Sequence, residues 1–263
     1  MEHEILVTGA SGAVGYAAVR ALSARGHRVR GFDQKPARVS GEHVVGSLLD
    51  FDALSSAMEG VSVVVHCAAV PDRQDFPSQL VPVNISGTHY VFEAARVRRV
   101  KRVIYASSVR VVGGLDWQSG VIGLDSGLVP NDHYGVSKAT GELLARMYAE
   151  RFGIDVLSAR LGWFVRNFEE AELFETVQFA PRIYLSHRDA EDFFVRAVEK
   201  PVAGYAAVFV TSKNADDSAF DLGPTRALLG YEPHDTWPSG STWSDELRFD
   251  SPLFGPSVRP SAR

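Results

Sequence analysis

The run Glu4-Ile5-Leu6-Val7-Thr8-Gly9-Ala10-Ser11-Gly12-Ala13-Val14-Gly15 reads as a strand that runs into a glycine turn and then into a helix. Apolar residues stop at Thr8, glycines follow at a spacing of three, and an amphipathic pattern runs from about Ala13 to Arg25. Gly9 permits a sharp turn, Gly12 lets the main chain approach a pyrophosphate, and Gly15 lets helix and strand pack closely. The helix N-terminus adds unpaired N–H groups and about half a positive charge. A glycine triplet alone also describes an ordinary tight turn, and the next segment decides between the two. His27-Arg28-Val29-Arg30-Gly31-Phe32-Asp33 is a second strand ending in an acid, 18 residues beyond Gly15. A carboxylate there accepts hydrogen bonds from the adenosine ribose hydroxyls. Strand, turn, helix, strand and acid make the first half of a dinucleotide fold. Asp33 repels a 2′-phosphate, so NAD is favoured over NADP, and Lys35 and Arg38 stand close enough to soften that preference.

Composition narrows the class further. The chain has 263 residues, 45% hydrophobic and 22% charged, enough to bury a sizeable core in a single unit spanning 1–263. A net charge of −5 argues against a nucleic-acid binder. The basic cluster Arg96, Arg98, Arg99, Lys101 and Arg102 falls between a helix and a strand and reads as a solvated connection. Cys67 is the only cysteine, which fits a reducing compartment and reads as a small buried hydrophobe. A strand begins within the first few residues, leaving no room for a signal peptide, and no apolar run is long enough to cross a membrane. The expectation is a cytoplasmic protein with no membrane and no metal.

Short β-rich runs alternate with helical patterns, which predicts an α/β fold: a Rossmann-type doubly wound parallel sheet. Strands are expected near 4–8, 27–33, 43–45, 61–68, 102–107, 155–160 and 206–210. Helices are expected near 13–25, 51–58, 80–98, 134–152, 187–199 and 224–229, with Ser186 and Asp189 forming a helix-starting cap and Gly230 ending the last helix. Residues 163–185 carry aromatics without a clear period and read as an irregular segment that either covers a substrate or packs as a loop. It forms a small C-terminal elaboration, and 251–263 reads as an extended tail.

Tyr134 and Lys138 open the helix at 134–152 four residues apart, so their head groups lie on one face. A free tyrosine has a pKa of about 10, and lowering it by about three units takes roughly 4 kcal/mol. One ammonium about 5 Å away supplies roughly 3 kcal/mol at an effective dielectric of about 20. A tyrosinate so produced can take the proton of a hydroxyl while hydride leaves its carbon. Ser107 and Ser108 end the strand beside the same site. Ser108 is placed to hydrogen-bond the reacting oxygen, the alternative being a serine pair that only terminates the strand.

Taken together, Thr8 to Gly15, Asp33, His66-Cys67-Ala68-Ala69, Asn84-Ile85-Ser86-Gly87-Thr88, Ser107-Ser108 and Tyr134-x-x-x-Lys138 resemble the extended short-chain dehydrogenase/reductases, the NAD-dependent epimerase/dehydratase group. The resemblance covers residues 4 to about 235. Within the group it is similar to uronate dehydrogenases through Tyr134 to Phe152, Ser186-His187-Arg188-Asp189, Phe220-Asp221-Leu222-Gly223 and Leu229 to Pro233. The resemblance implies a catalytic trio of Ser108, Tyr134 and Lys138. It implies cofactor contacts from Gly9, Ser11, Gly12, Ala13, Val14 and Gly15, from Ala68, Ala69 and Val70, and from Asn84. It also implies a homodimer through the helices at 80–98 and 134–152.

Departures from the pattern fall at the adenine and, more often, on the substrate side. Ser47-Leu48 stands where the family has an Asp-Leu pair at the adenine. Val109-Arg110 replaces the Asn-His that grips sugar hydroxyls, Trp163 replaces a small serine, and 163–185 is longer than its counterpart. Arg110, Arg166 and Arg182 are candidate carboxylate clamps, and Arg182, just before the cap at Ser186, is the expected anchor. The expectation is an NAD-dependent oxidoreductase acting on a hydroxyl of a small sugar or sugar acid. A nucleotide-sugar epimerase or dehydratase is the first rival, although only 103 residues follow Arg160 to hold a nucleotide. The other rival, an NAD-sensing binding protein without turnover, has little need for both Tyr134 and Lys138.

Overall fold

In the computed structural model, residues 2–38, 41–71, 74–213 and 218–240 are described. The chain opens with β1 (Glu4–Thr8), α1 (Ala13–Ala24), β2 (Arg28–Asp33), β3 (Glu42–Val45), α2 (Phe51–Ala57) and β4 (Val63–His66). A π-helical segment (Phe76–Gly87) leads into α3 (Thr88–Val97), β5 (Arg102–Ser108), α4 (His133–Phe152) and β6 (Asp155–Leu161). Then follow β7 (Trp163–Phe164), α5 (Phe168–Thr176), β8 (Tyr184–Leu185), α6 (His187–Glu199), β9 (Tyr205–Val210) and α7 (Gly223–Leu229).

The main sheet runs β3-β2-β1-β4-β5-β6-β9 with every pair parallel. Parallel strands need long crossovers, and the crossovers cover both faces of the sheet. Side chains therefore alternate between two cores: Ile5, Val7, Val63 and Val65 pack with α1 and α6, whereas Leu6, Val64, Val103 and Tyr105 pack with α2, α3 and α4. Strand order reverses between β1 and β4, which opens a crevice beyond their carboxyl ends. The doubly wound parallel sheet expected of the sequence is the fold observed.

Two expected elements are corrected. The helix expected over 80–98 begins earlier and in a wider winding, since the Leu80 N–H donates to the Asp75 carbonyl five residues back (3.1 Å). Asp75 caps this start by accepting from the Ser78 N–H (2.9 Å). Pro82 inside the segment has no N–H to give, so a regular ladder is interrupted there and α3 takes over at Thr88. The segment 163–185 is not irregular. Asn167 caps α5 by accepting from the Glu170 N–H (2.9 Å), and β7 pairs with β8 in a separate two-stranded sheet. Ser186 accepts from the Asp189 N–H (2.9 Å) to start α6, and Gly230 closes α7 at φ 65°, both as their positions predict. Residues beyond α7 pack behind the small sheet, with Trp237 against Phe174 and Tyr184 at ring separations of 4.3 and 5.2 Å. The expected tail at 251–263 lies outside the described residues. No helix among them is long and apolar enough to cross a membrane.

The helix that carries Tyr134 and Lys138 lies close on the sheet. A Cβ added at Gly141 of α4 would stand 2.1 Å from the Tyr105 hydroxyl. Alanine favours a helix interior by about 1 kcal/mol over glycine, yet here overpacking dominates. Gly141→Ala is expected to destabilise the protein by about 1–3 kcal/mol, read as a lower urea midpoint at unchanged m value.

Candidate active site

At the end of β1 the main chain turns at Gly9 (φ 70°), and a Cβ there would lie 2.6 Å from the Ala68 backbone. A Cβ on Gly15 would lie 2.1 Å from the Gly9 carbonyl oxygen. Gly12 differs: its added Cβ would meet only the Gly9 oxygen, at 3.3 Å, so its other side opens on the cavity. It precedes α1, whose first turn holds no acid, so the amides of Ala13 and Val14 start a positive helix end. Asp33 draws this loop toward β2. Its carboxylate accepts from the Ser11 N–H (3.0 Å) and from the Lys35 N–H (2.9 Å), and each oxygen keeps a lone pair.

A cavity of about 590 Å³ extends from this loop to the other end of the crevice. Lys138 of α4 is 3% exposed and donates its ammonium to the Ala106 carbonyl (2.9 Å). Its nitrogen lies 5.7 Å from the Tyr134 ring centroid. Burial brings the Lys138 pKa down to about 8. The same burial pushes the Cys67 thiol up to about 12 and, with the Lys138 charge, holds His66 at about 3. His66 is thus a neutral bridge between the Thr8 and Thr88 hydroxyls (2.7 and 3.0 Å). Ser107 and Ser108 separate clearly. Both line the cavity, but the Ser107 hydroxyl is buried and donates to Glu142 (2.6 Å), while half-buried Ser108 accepts from the Arg110 N–H (3.2 Å). Accepting that bond leaves the Ser108 proton available for donation.

Asn84 is 1% exposed and braces the loop after β4. It accepts from the Val70 N–H (2.7 Å), donates to the Val70 carbonyl (2.9 Å) and donates to Ser137 Oγ (3.1 Å), tying the loop to α4. Of that loop, Ala69 lines the cavity, while Ala68 touches the glycine turn and Val70 is held by Asn84. Leu48 is buried in the core beneath α2 and α3, and Ser47 Oγ accepts from the Leu49 N–H (3.2 Å). Neither lines the cavity, whereas Lys35 and Arg38 do.

On the substrate side the cavity meets Val109, Arg110, Trp163 and Arg166. Arg110 pairs with Asp132, which also accepts from the Gly135 N–H (2.6 Å) as the cap of α4. Arg166 grips the fully buried Glu170 with two donors (2.9 and 2.7 Å), and Trp163 Nε1 donates to the same carboxylate (2.8 Å). Arg182 is absent from the lining. Its guanidinium donates to the Trp117 and Gly120 carbonyls (both 2.8 Å), so it staples the loop that carries Trp117. Trp117, edge-on to Phe179 at 5.5 Å, is a cavity residue with no signal in the local pattern. Among the described residues no group of three or more His, Cys, Asp or Glu could hold a metal.

The family model described as the NAD dependent epimerase/dehydratase family matches residues 5–172. The chain belongs to that family. As an epimerase/dehydratase family member it is 34% identical over 247 residues to an L-arabinose 1-dehydrogenase (NAD(P)(+)) of Haloferax volcanii, covering 88% of this chain and 96% of that protein. It is 32% identical over 241 residues to the uronate dehydrogenase of Pseudomonas syringae pv. tomato, covering 89% and 82%. Among solved structures, uronate dehydrogenase from Agrobacterium tumefaciens superposes with a TM-score of 0.77 at 29% identity, covering 89% of this family member and 85% of that chain.

Proposed function

We propose that this protein is an NAD-dependent dehydrogenase that oxidises a hydroxyl of a small sugar or sugar acid, with Tyr134 as the general base. One observation carries the reading: Tyr134, Lys138 and Ser108 line the same cavity as the glycine turn before α1. The relatives point the same way, being named for arabinose and uronate oxidation. The cradle also fits the cofactor, because the open side of Gly12 is where any Cβ would intrude on a diphosphate. Gly12, Ala13 and Val14 would hold the diphosphate, Asp33 the adenosine ribose, and Ala69 the middle of the molecule. When bound, NAD supplies the hydride acceptor.

The chain supplies the proton handling. Ser108 donates a hydrogen bond to the reacting oxygen, Tyr134 takes the hydroxyl proton, and the Lys138 ammonium favours the phenolate. A substrate carboxylate would meet Arg166, which keeps donors beyond those spent on Glu170. Arg182 holds the Trp117 loop from outside the cavity lining and is not the anchor we propose. The single cysteine supports a cytoplasmic setting. A homodimer through α3 and α4 is supported by Val97, Leu143, Met147 and Phe152, which stand exposed there.

Three measurements check this reading. NADH formation from D-glucuronate, D-galacturonate and L-arabinose should be lost in Tyr134→Phe, with the fold and most NAD affinity kept. Lys138 carries its charge below about pH 8 and sheds it above, so kcat should fall on the alkaline side. A Tyr134→Phe enzyme as active as wild type, or a kcat rising unbroken to about pH 10, the free-tyrosine value, contradicts the mechanism. Calorimetric titration should give NAD at least about tenfold tighter binding than NADP, or about 1.4 kcal/mol. Equal affinities would mean that Lys35 and Arg38 hold a 2′-phosphate despite Asp33. Sedimentation should show a dimer that Leu143→Asp converts to monomer, and a wild-type monomer would remove the dimer from the reading.

A further inference from the structure

From Ser107 in the cavity wall a buried set of polar groups runs inward that takes no part in the proton transfer just described. Glu142 and Arg160, 3% and 4% exposed, form a two-pronged ion pair, with Arg160 Nε 3.0 Å from one carboxylate oxygen and Nη2 2.9 Å from the other. The Ser107 hydroxyl donates to the same carboxylate (2.6 Å). Ser107 on β5 and Arg160 on β6 are register partners, and Glu142 comes from α4. Three elements therefore meet at one carboxylate.

This cluster is a poor device for stability alone. Buried ion pairs are commonly no better than apolar residues of the same volume. Arg160 Nη1 has no hydrogen-bond partner among the described residues, although it is buried and its guanidinium lies over the Phe209 ring (5.2 Å). The location is what distinguishes the cluster. Tyr134, Lys138 and Glu142 recur every four residues along one face of α4. Lys138 grips the carbonyl of Ala106, Glu142 grips the hydroxyl of Ser107, and the next residue of the strand is Ser108.

We propose that Ser107, Glu142 and Arg160 are positioning residues that hold α4 against the end of β5 and so fix Ser108 relative to Tyr134. The proposal rests on the reading of Ser108, Tyr134 and Lys138 as the catalytic trio. A displacement of about 1 Å in such a constellation can cost about a hundredfold in rate, so a hydroxyl committed to Glu142 still bears on turnover.

Ser107→Ala tests this with little risk to folding, because it leaves the Glu142–Arg160 pair intact, and Ser107→Thr returns the donor. In NADH-formation assays with the best sugar or sugar acid of the panel above, Ser107→Ala should lose about tenfold or more in kcat. Its KM for NAD and its calorimetric NAD affinity should stay within about twofold, and Ser107→Thr should regain most of the lost kcat. A kcat within twofold of wild type, a parallel loss of NAD affinity, or a threonine variant no better than alanine overturns the proposal. If wild-type enzyme oxidises none of the panel, the activity reading falls by itself. The positioning claim is then read from tyrosinate absorbance at about 295 nm, titrated through the free-tyrosine pKa of about 10 as each form minus its Tyr134→Phe counterpart. Lys138, Tyr105, His66 and Cys67 are the titratable groups around it. A Tyr134 midpoint that moves in Ser107→Ala and returns in Ser107→Thr supports the claim, and identical midpoints in all three forms overturn it.

Discussion

Two stretches of main chain cross at the end of β1 because no Cβ stands between them. The Gly9 carbonyl occupies the space that a Gly15 side chain would need, and the Ala68 backbone occupies the space beside Gly9. Everything around the crevice depends on that contact. It sets how closely α1 approaches the sheet, where the first amides of α1 point, and how near the loop after β4 can come. Asp33 then secures the turn from the other side through the Ser11 N–H. A methyl group at Gly9 would push the turn off the loop after β4, where the strand order reverses, and one at Gly15 would push α1 off the turn.

What could be read from the sequence was local. The glycine turn, the acid ending β2 and the Tyr134–Lys138 spacing are short-range patterns whose geometry follows from strand and helix periods, and the sheet followed from their alternation. Asn84 was legible by resemblance, and its bonds to Val70 and Ser137 give it a physical reason. Features that failed to show depend on partners far along the chain. Arg182 finds acceptors at Trp117 and Gly120, more than sixty residues earlier, so nothing near it reveals that it stands outside the cavity lining. Ser107 and Ser108 look equivalent until Glu142 engages one of them. The hidden order within 163–185 had one usable signal, Asn167 followed three residues later by Glu170, whose carboxylate reaches back to the Arg166 N–H just before the cap (2.9 Å) and also holds the Trp163 and Arg166 side chains.

Charge pairing, local and distant, changes the electrical character of the cavity away from the glycine turn. Read as a string, the chain adds cations there. In the fold, Arg110 is matched by Asp132 and Arg166 by Glu170, while Arg182 is turned to main-chain carbonyls. The remaining wall is largely aromatic and aliphatic, with Trp117, Trp163 and Phe179 around the opening. Selection in such a chamber comes from shape and from a few aimed donors, because paired charges exert little net pull at a distance.

The ring of Trp237 lies in the stretch after α7, yet it packs against Phe174 and Tyr184, on the far side of the elements that close the chamber, and the Tyr184 hydroxyl donates to the Ser239 carbonyl (2.9 Å). The end of the described chain therefore backs the elements that wall this part of the cavity. Under the proposed function, sequence drift in this stretch would leave dinucleotide binding alone and retune which molecules are admitted. Substrate choice would then be altered through residues that stand behind the wall of the cavity and not in it.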